Sequence, residues 1–92
     1  MTKEDQQKRL RIIPGVGKSI AQDLWNVGIR ETSDLKGRDP EELYRLSNRH
    51  AGMIQDRCLL YVFRCAVYFS STLEKKRDSE KLKWWNWKDQ AK

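Results

Sequence analysis

The chain has 92 residues, and its 19 lysines and arginines exceed its 13 aspartates and glutamates, which gives a formal net charge of +6. A chain of this length builds one domain with a modest core, which excludes a large catalytic cleft. No apolar run approaches the roughly 20 residues of a membrane span, and the polar N-terminus resembles no secretory signal. We therefore expect a cytoplasmic protein without membrane contact, whose basic balance favours polyanionic partners.

Apolar periodicity and helix-boundary residues predict an all-α domain of about five to six helices and no strands. Gly28 is expected to end the second helix as a C-terminal cap, with Ile29 folding back on that helix. Asp39 and Pro40 mark the start of a later helix. The predicted helices cover residues 3–12, 18–27, one turn at 34–35, 40 to a break at 49, 56–73, and a short tryptophan-rich segment near the end.

The helix predicted at 56–73 is apolar on nearly all sides, which is typical of the central helix of a small domain. Cys58 and Cys65 fall on it about 10 Å apart along the axis, too far for a mutual disulfide. We expect both thiols to be buried in a reducing compartment. With only His50 besides, the chain offers no zinc pattern and no metal site.

The most informative stretch of the chain is Ile-Pro-Gly-Val-Gly at residues 13–17. Pro14 excludes the helical region for Ile13, so the first helix must stop there. Gly15 and Gly17 can adopt backbone angles that side chains forbid, and they leave the backbone bare. We call residues 13–17 the glycine turn.

The helix after the glycine turn begins with unpaired N–H groups and a partial positive charge. A bare turn that leads into a helix N-terminus is suited to phosphate binding. Lys18 and Ser19 add a cation and a hydroxyl at the same place. The alternative is that the turn only connects two packed helices.

The pattern L-x-x-I-P-G-V-G-K-x-x-A-x-x-L at residues 10–24 resembles the helix-hairpin-helix motif of DNA-binding proteins. In that family, main-chain N–H groups of the hairpin hold a DNA phosphate without reading bases. Some members also hold a monovalent cation on hairpin carbonyls, which here would belong to Arg11, Ile13 and Val16. The resemblance implies these DNA phosphate-binding residues: Gly15, Val16, Gly17, Lys18, Ser19 and Arg11.

The helix order over residues 1–73 resembles the doubled, SAM-like helix-hairpin-helix domain. Its second hairpin would be residues 49–54, which are degenerate because Gly52 has neither a second glycine nor a preceding proline. Residues 74–92 are expected to form a charged link and a tryptophan-rich C-terminal helix that packs on the core. The whole chain also resembles a small bacterial family described as pathogenicity-locus or mitomycin-resistance-like, through the hairpin and residues 28–35, 56–68 and 83–89.

Two aromatic features leave alternatives open. The rings of Trp84, Trp85 and Trp87 could stack on bases, although a small domain gains more by folding Trp84 and Trp87 onto its core with Trp85 exposed. Tyr61, Arg64 and Tyr68 lie on one stripe of the long helix. That stripe could bind a ligand, but a semi-buried edge with Arg64 paired to a carboxylate is favoured.

These observations lead to a functional expectation. The protein binds DNA backbone without strong sequence preference, and the binding weakens steeply with salt. It is not an enzyme, because no catalytic constellation is recognisable and the chain is too short for a base pocket. The alternative is a helical protein-interaction module that keeps the turn as a fold element and contacts a protein partner through its tryptophan-rich tail.

Overall fold

The computed structural model describes residues 2–89, and this part of the chain is all-helical, without strands. It contains four α-helices rather than five to six: α1 (Lys3–Leu10), α2 (Lys18–Asn26), α3 (Pro40–Ala51) and α4 (Arg57–Ser71). Single 3-10 turns cover Thr32–Leu35, Glu74–Lys76, Ser79–Leu82 and Trp84–Trp87. Within the described residues, no helix is long and apolar enough to cross a bilayer.

Helices α2 and α3 each end just before a glycine with a positive φ. Gly28 has a φ of +92° and donates its N–H to the Trp25 carbonyl, while buried Ile29 donates to the Leu24 carbonyl, both at 3.0 Å. These two bonds form the predicted C-terminal cap. Helix α3 continues past the expected break at residue 49 and ends at Ala51, with Gly52 as its C-cap at a φ of +72°. The connection to α4 is therefore shorter than the sequence predicted.

Helix α4 is the centre of the core, as its apolar circumference predicted. Its side chains at Leu60, Phe63 and Cys65 are fully buried, and burial raises the pKa of the Cys65 thiol to about 11. Side chains from the other elements surround it, among them Leu10, Leu24, Ile29, Leu35 and Leu43.

The expectation that Cys58 is also buried is wrong. Cys58 is exposed. Although its neighbours Leu59 and Leu60 are buried, Cys58 lines an open cavity beside Gln55 and Asp56. A hydrogen bond to Asp56 raises the pKa of the Cys58 thiol. The thiol is therefore accessible but is not activated as a thiolate.

The C-terminal segment lies along α4 as a series of 3-10 turns, rather than as the expected link and helix. Its charged first part is fixed by Arg77, whose Nε donates to the carbonyls of Phe69 and Thr72 at 3.0 and 3.1 Å. The Arg77 guanidinium also stacks 3.7 Å from the centre of the Phe69 ring. Residues 90–92 of the predicted segment 74–92, and Met1, lie outside the described residues.

Of the three C-terminal tryptophans, Trp84 packs inward and Trp85 is exposed, as expected if these rings complete the core. Trp84 is partly buried against the core cluster, whereas Trp85 is 50% exposed. The Trp87 ring packs 5.6 Å from the Tyr68 ring, and its Nε1 donates to the Lys81 carbonyl at 2.7 Å. Two of the three rings are thus part of the fold.

An ion cluster at Asp89 fastens the end of this segment to α4. The Asp89 carboxylate accepts hydrogen bonds from Arg57 at 2.6 Å and from the Tyr61 hydroxyl at 3.2 Å, and it pairs with Arg64 at 3.0 Å. Arg64 also donates to Glu41 of α3 at 2.7 Å. The tyrosine and arginine stripe is therefore an ion-paired edge, as favoured.

The Asp89→Asn variant should destabilise the docked C-terminal segment at neutral pH. The guanidinium of Arg57, with Arg64 and Tyr61, lowers the pKa of Asp89, so its contribution is present above the unfolded pKa of about 3.9 and is lost as pH falls through the folded value. Denaturant unfolding followed by tryptophan fluorescence should show a difference between wild type and variant that shrinks below about pH 4. A difference that grew on acidification would contradict this account.

Candidate nucleic-acid interface

The glycine turn is a tight β-turn anchored in the core. The N–H of Val16 donates to the Ile13 carbonyl at 3.0 Å, and Gly15 at the third position has a φ of +85°. Proline at the second position and a positive φ at the third define a type II turn. Ile13 and Val16 are 1% and 5% exposed, so their burial holds the turn in place while Gly15 and Gly17 remain exposed.

The N-terminus of α2 has no side-chain cap. Gly17 occupies the N-cap position, and within residues 2–89 the amides of Gly17, Lys18 and Ser19 have no hydrogen-bond acceptor. The other three α-helices are each capped by a side chain, which belongs to Thr2, Asp39 or Asp56. Among the described α-helices, α2 alone presents its first amides to the surface.

The structure requires glycine at one of the two glycine positions of the turn but not at the other. A Cβ atom on Gly15 would lie 2.9 Å from Cδ1 of Trp84, and the positive φ independently favours glycine there. At Gly17 the φ is −94°, and a Cβ would meet nothing within 4 Å. The fold therefore requires glycine at position 15 but not at position 17, where glycine leaves the amides uncapped.

Three cations lie beside the open amides. Lys8, Arg11 and Lys18 line a recess of about 230 Å³ between α1 and α2, with Glu4 as its one carboxylate. Within the described residues, none of these three cations forms an ion pair. The charge balance of this face favours an anion next to the α2 N-terminus.

The opposite side of the turn carries carboxylates. A cavity of about 350 Å³ separates it from the α3–α4 connection and is lined by Gly15, Trp84, Asp23 and Asp56, among others. Partial burial raises the pKa of the Asp23 carboxyl. A hydrogen bond with Gln55 and the charge of His50 act in the opposite direction but are smaller effects. Asp23 also lines a recess with Lys18, Ser19 and Gln7. An anion is therefore favoured where Lys8, Arg11 and Lys18 converge and disfavoured at the cavity.

Five of the six residues assigned from the resemblance are exposed on this turn or beside it: Gly15, Gly17, Lys18, Ser19 and Arg11. The sixth, Val16, is 5% exposed and its N–H is bonded to the Ile13 carbonyl within the turn, so Val16 offers no open amide to a phosphate. The same bond engages the Ile13 carbonyl, which the proposed cation would have to share. The sequence argument missed Lys8, although its spacing of three from Arg11 places both on one face of α1.

The predicted second hairpin, residues 49–54, lacks an open helix start. Its first three residues belong to α3, and Asp56 caps α4 by accepting the Cys58 N–H at 2.8 Å. The Asp56 carboxylate thus uses one of the first amides of α4 as its donor and places a negative charge at that helix N-terminus, where it would repel a phosphate. The loop instead exposes Met53 and Ile54, by 65% and 83%.

Comparisons with known proteins identify a family but no solved structure. A family model described as "Pathogenicity locus" matches residues 3–92. A curated relative, the mitomycin resistance protein McrB of Streptomyces lavendulae, is 38% identical over 58 residues, which are 63% of this chain and 55% of that protein. The chain thus spans about half the length of this relative. No solved structure matches this chain.

Gly15→Ala should destabilise the fold more than Gly28→Ala. Both positions have a positive φ, but only Gly15 also faces Trp84, whereas a Cβ on Gly28 meets nothing within 4 Å. Backbone strain of this kind costs about 1–3 kcal/mol, and the Trp84 contact adds to it at Gly15 alone. Urea unfolding of both variants measures the difference, and equal losses would contradict the contact.

Proposed function

The chain belongs to the Cdd1 pathogenicity locus family. We propose that it binds the phosphate backbone of DNA without sequence preference and without catalysis. The open N-terminus of α2 carries the proposal. Amides of Gly17, Lys18 and Ser19 have no acceptor within the described residues and are exposed. A phosphate oxygen is the acceptor that such a helix start suits best.

The bound phosphate is held by two kinds of interaction. The amides donate hydrogen bonds whose acceptor is charged, which makes them stronger than neutral ones. Arg11, Lys8 and Lys18 add attraction from the α1 side without fixed geometry. Neither interaction reads a base edge, so the affinity is independent of sequence. One site contacts few phosphates, and the dissociation constant falls in the nonspecific range of about 10⁻⁴ to 10⁻⁶ M.

We assign the fold itself to the doubled helix-hairpin-helix arrangement. Two helix pairs, α1 with α2 and α3 with α4, are each joined by a short connection, and one cavity is lined from both connections. The second pair has exchanged its open helix start for the Asp56 cap. The protein therefore grips one DNA strand rather than two.

The competing function, a protein-interaction module, has one favourable observation. Trp85 is half exposed and packs edge-on against Trp84, with ring centres 5.9 Å apart. An exposed indole is typical of interface cores. This function predicts that DNA at low salt leaves residues 13–20 unaffected.

Gly17→Asp should raise stability and lower DNA affinity. An aspartate at the N-cap accepts from the α2 amides and complements the helix dipole, which raises the free energy of unfolding by a few tenths to about 1 kcal/mol. The same carboxylate displaces the phosphate, so affinity should fall by roughly tenfold or more. Fluorescence anisotropy with a labelled duplex at low salt gives the affinity, and urea unfolding gives the stability.

Gly17→Ala is the matched control. Alanine fits the open space at this position and has no side-chain acceptor, so it should bind DNA like the wild type although it is a poorer N-cap. Equal affinities for Gly17→Asp and Gly17→Ala would show that the α2 N-terminus is not the phosphate site.

A further inference from the structure

The ring of Trp84 contacts the glycine turn from outside the α1–α2 pair. A Cβ atom on Gly15 would lie 2.9 Å from Cδ1 and 3.3 Å from Cγ of Trp84, so the indole lies directly against the Gly15 backbone. Gly15 is the residue whose positive φ directs the chain into α2. Because Trp84 also packs against the core cluster, the ring connects this residue to the body of the domain.

Contacts remote from the turn hold Trp84 in this position. The Trp87 carbonyl accepts a hydrogen bond from Arg64 at 2.8 Å, and the Asp89 carboxylate accepts one from Arg57 at 2.6 Å. Both arginines belong to α4. The position of the ring therefore depends on the docking of the residues that follow it, and not on the turn alone.

The C-terminal segment, residues 74–89, adds little to the buried core. Its three 3-10 turns contain no fully buried residue, whereas the buried cluster is built from residues 10–66. Elements with few buried apolar contacts open locally at a lower free energy than the whole domain. Opening of the segment, which takes Trp84 away from the turn, therefore requires less free energy than unfolding of the four helices.

We propose that docking of the C-terminal segment and phosphate binding at the α2 N-terminus are coupled, with Trp84 as the positioning residue; this inference rests on the proposed function. The docked ring restricts Gly15, so the amides of Gly17 and Lys18 are already arranged for a phosphate. Without the ring, glycine regains its backbone freedom, and a ligand has to order the turn before it binds, which lowers the affinity. Because such coupling is reciprocal, bound DNA also stabilises the docked segment.

Trp84→Ala and Trp84→Phe test the contact itself. Trp84→Ala should keep the wild-type helix content in circular dichroism, because the ring is only partly buried. At low salt it should bind a labelled duplex at least about fivefold more weakly than the wild type. Trp84→Phe keeps an aromatic ring beside Gly15 and should recover most of the affinity. Wild-type affinity in folded Trp84→Ala would overturn the coupling.

Asp89→Asn tests the coupling from the far end of the segment, and it applies even if Trp84→Ala does not fold. Loss of a carboxylate by itself strengthens the attraction to a polyanion. Glu74→Gln is the matched control, since it removes the same charge from the same segment and Glu74 forms no ion pair within residues 2–89.

Glu74→Gln should bind DNA at least as tightly as the wild type. Asp89→Asn should bind more weakly than either, because its segment is less firmly docked. If Asp89→Asn bound as tightly as Glu74→Gln, the segment would not position the turn.

Hydrogen exchange observes the reciprocal effect. The amides of Lys81, Lys83 and Asn86 are bonded within the segment, and duplex DNA at low salt should slow their exchange in the wild type. Unchanged exchange with DNA bound would overturn the coupling and leave the phosphate site standing. No salt-dependent DNA binding by the wild type would overturn the proposed function, and the coupling with it.

Discussion

The arrangement of this molecule depends on one constraint, the type II turn that joins α1 to α2. Buried Ile13 and Val16 anchor its two ends, and the positive φ of Gly15 sets its direction. Trp84 packs against Gly15 from the C-terminal segment. Because the turn is fixed on both sides, α2 begins at the surface with its first amides directed away from the core.

The two helix connections have opposite electrostatic character. Glycine at the start of α2 leaves a positive helix end without a side-chain cap. Three cations line the recess beside it, and none of them forms an ion pair within residues 2–89. At α4, Asp56 neutralises the equivalent position, and the preceding loop is apolar rather than basic. Of the two helix starts, only that of α2 therefore has the open amides and the positive surroundings that the proposed phosphate contact needs.

The sequence predicted the features that local chemistry determines. The Gly28 cap, the Asp39–Pro40 helix start and the central position of α4 follow from turn chemistry and apolar periodicity. The packing of Trp84 on the core follows from the apolar area that a small domain has to bury. The fates of Val16 and Cys58 did not follow, because each depends on tertiary geometry. A hydrogen bond within the turn uses the Val16 N–H, and Cys58 lines an open cavity although Leu59 and Leu60 beside it are buried. Likewise, no local pattern in residues 74–89 shows that Arg77 and Asp89 fasten them to α4.

Amide chemical shifts report directly on the open N–H groups that are proposed to bind phosphate. Addition of a short duplex DNA at low salt to ¹⁵N-labelled protein should shift the resonances of Gly17, Lys18 and Ser19 most strongly, and added salt should reverse the shifts. The Val16 amide, bonded within the turn, should move less. Shifts confined to the surroundings of Trp85, or no shifts at all under these conditions, would contradict the account.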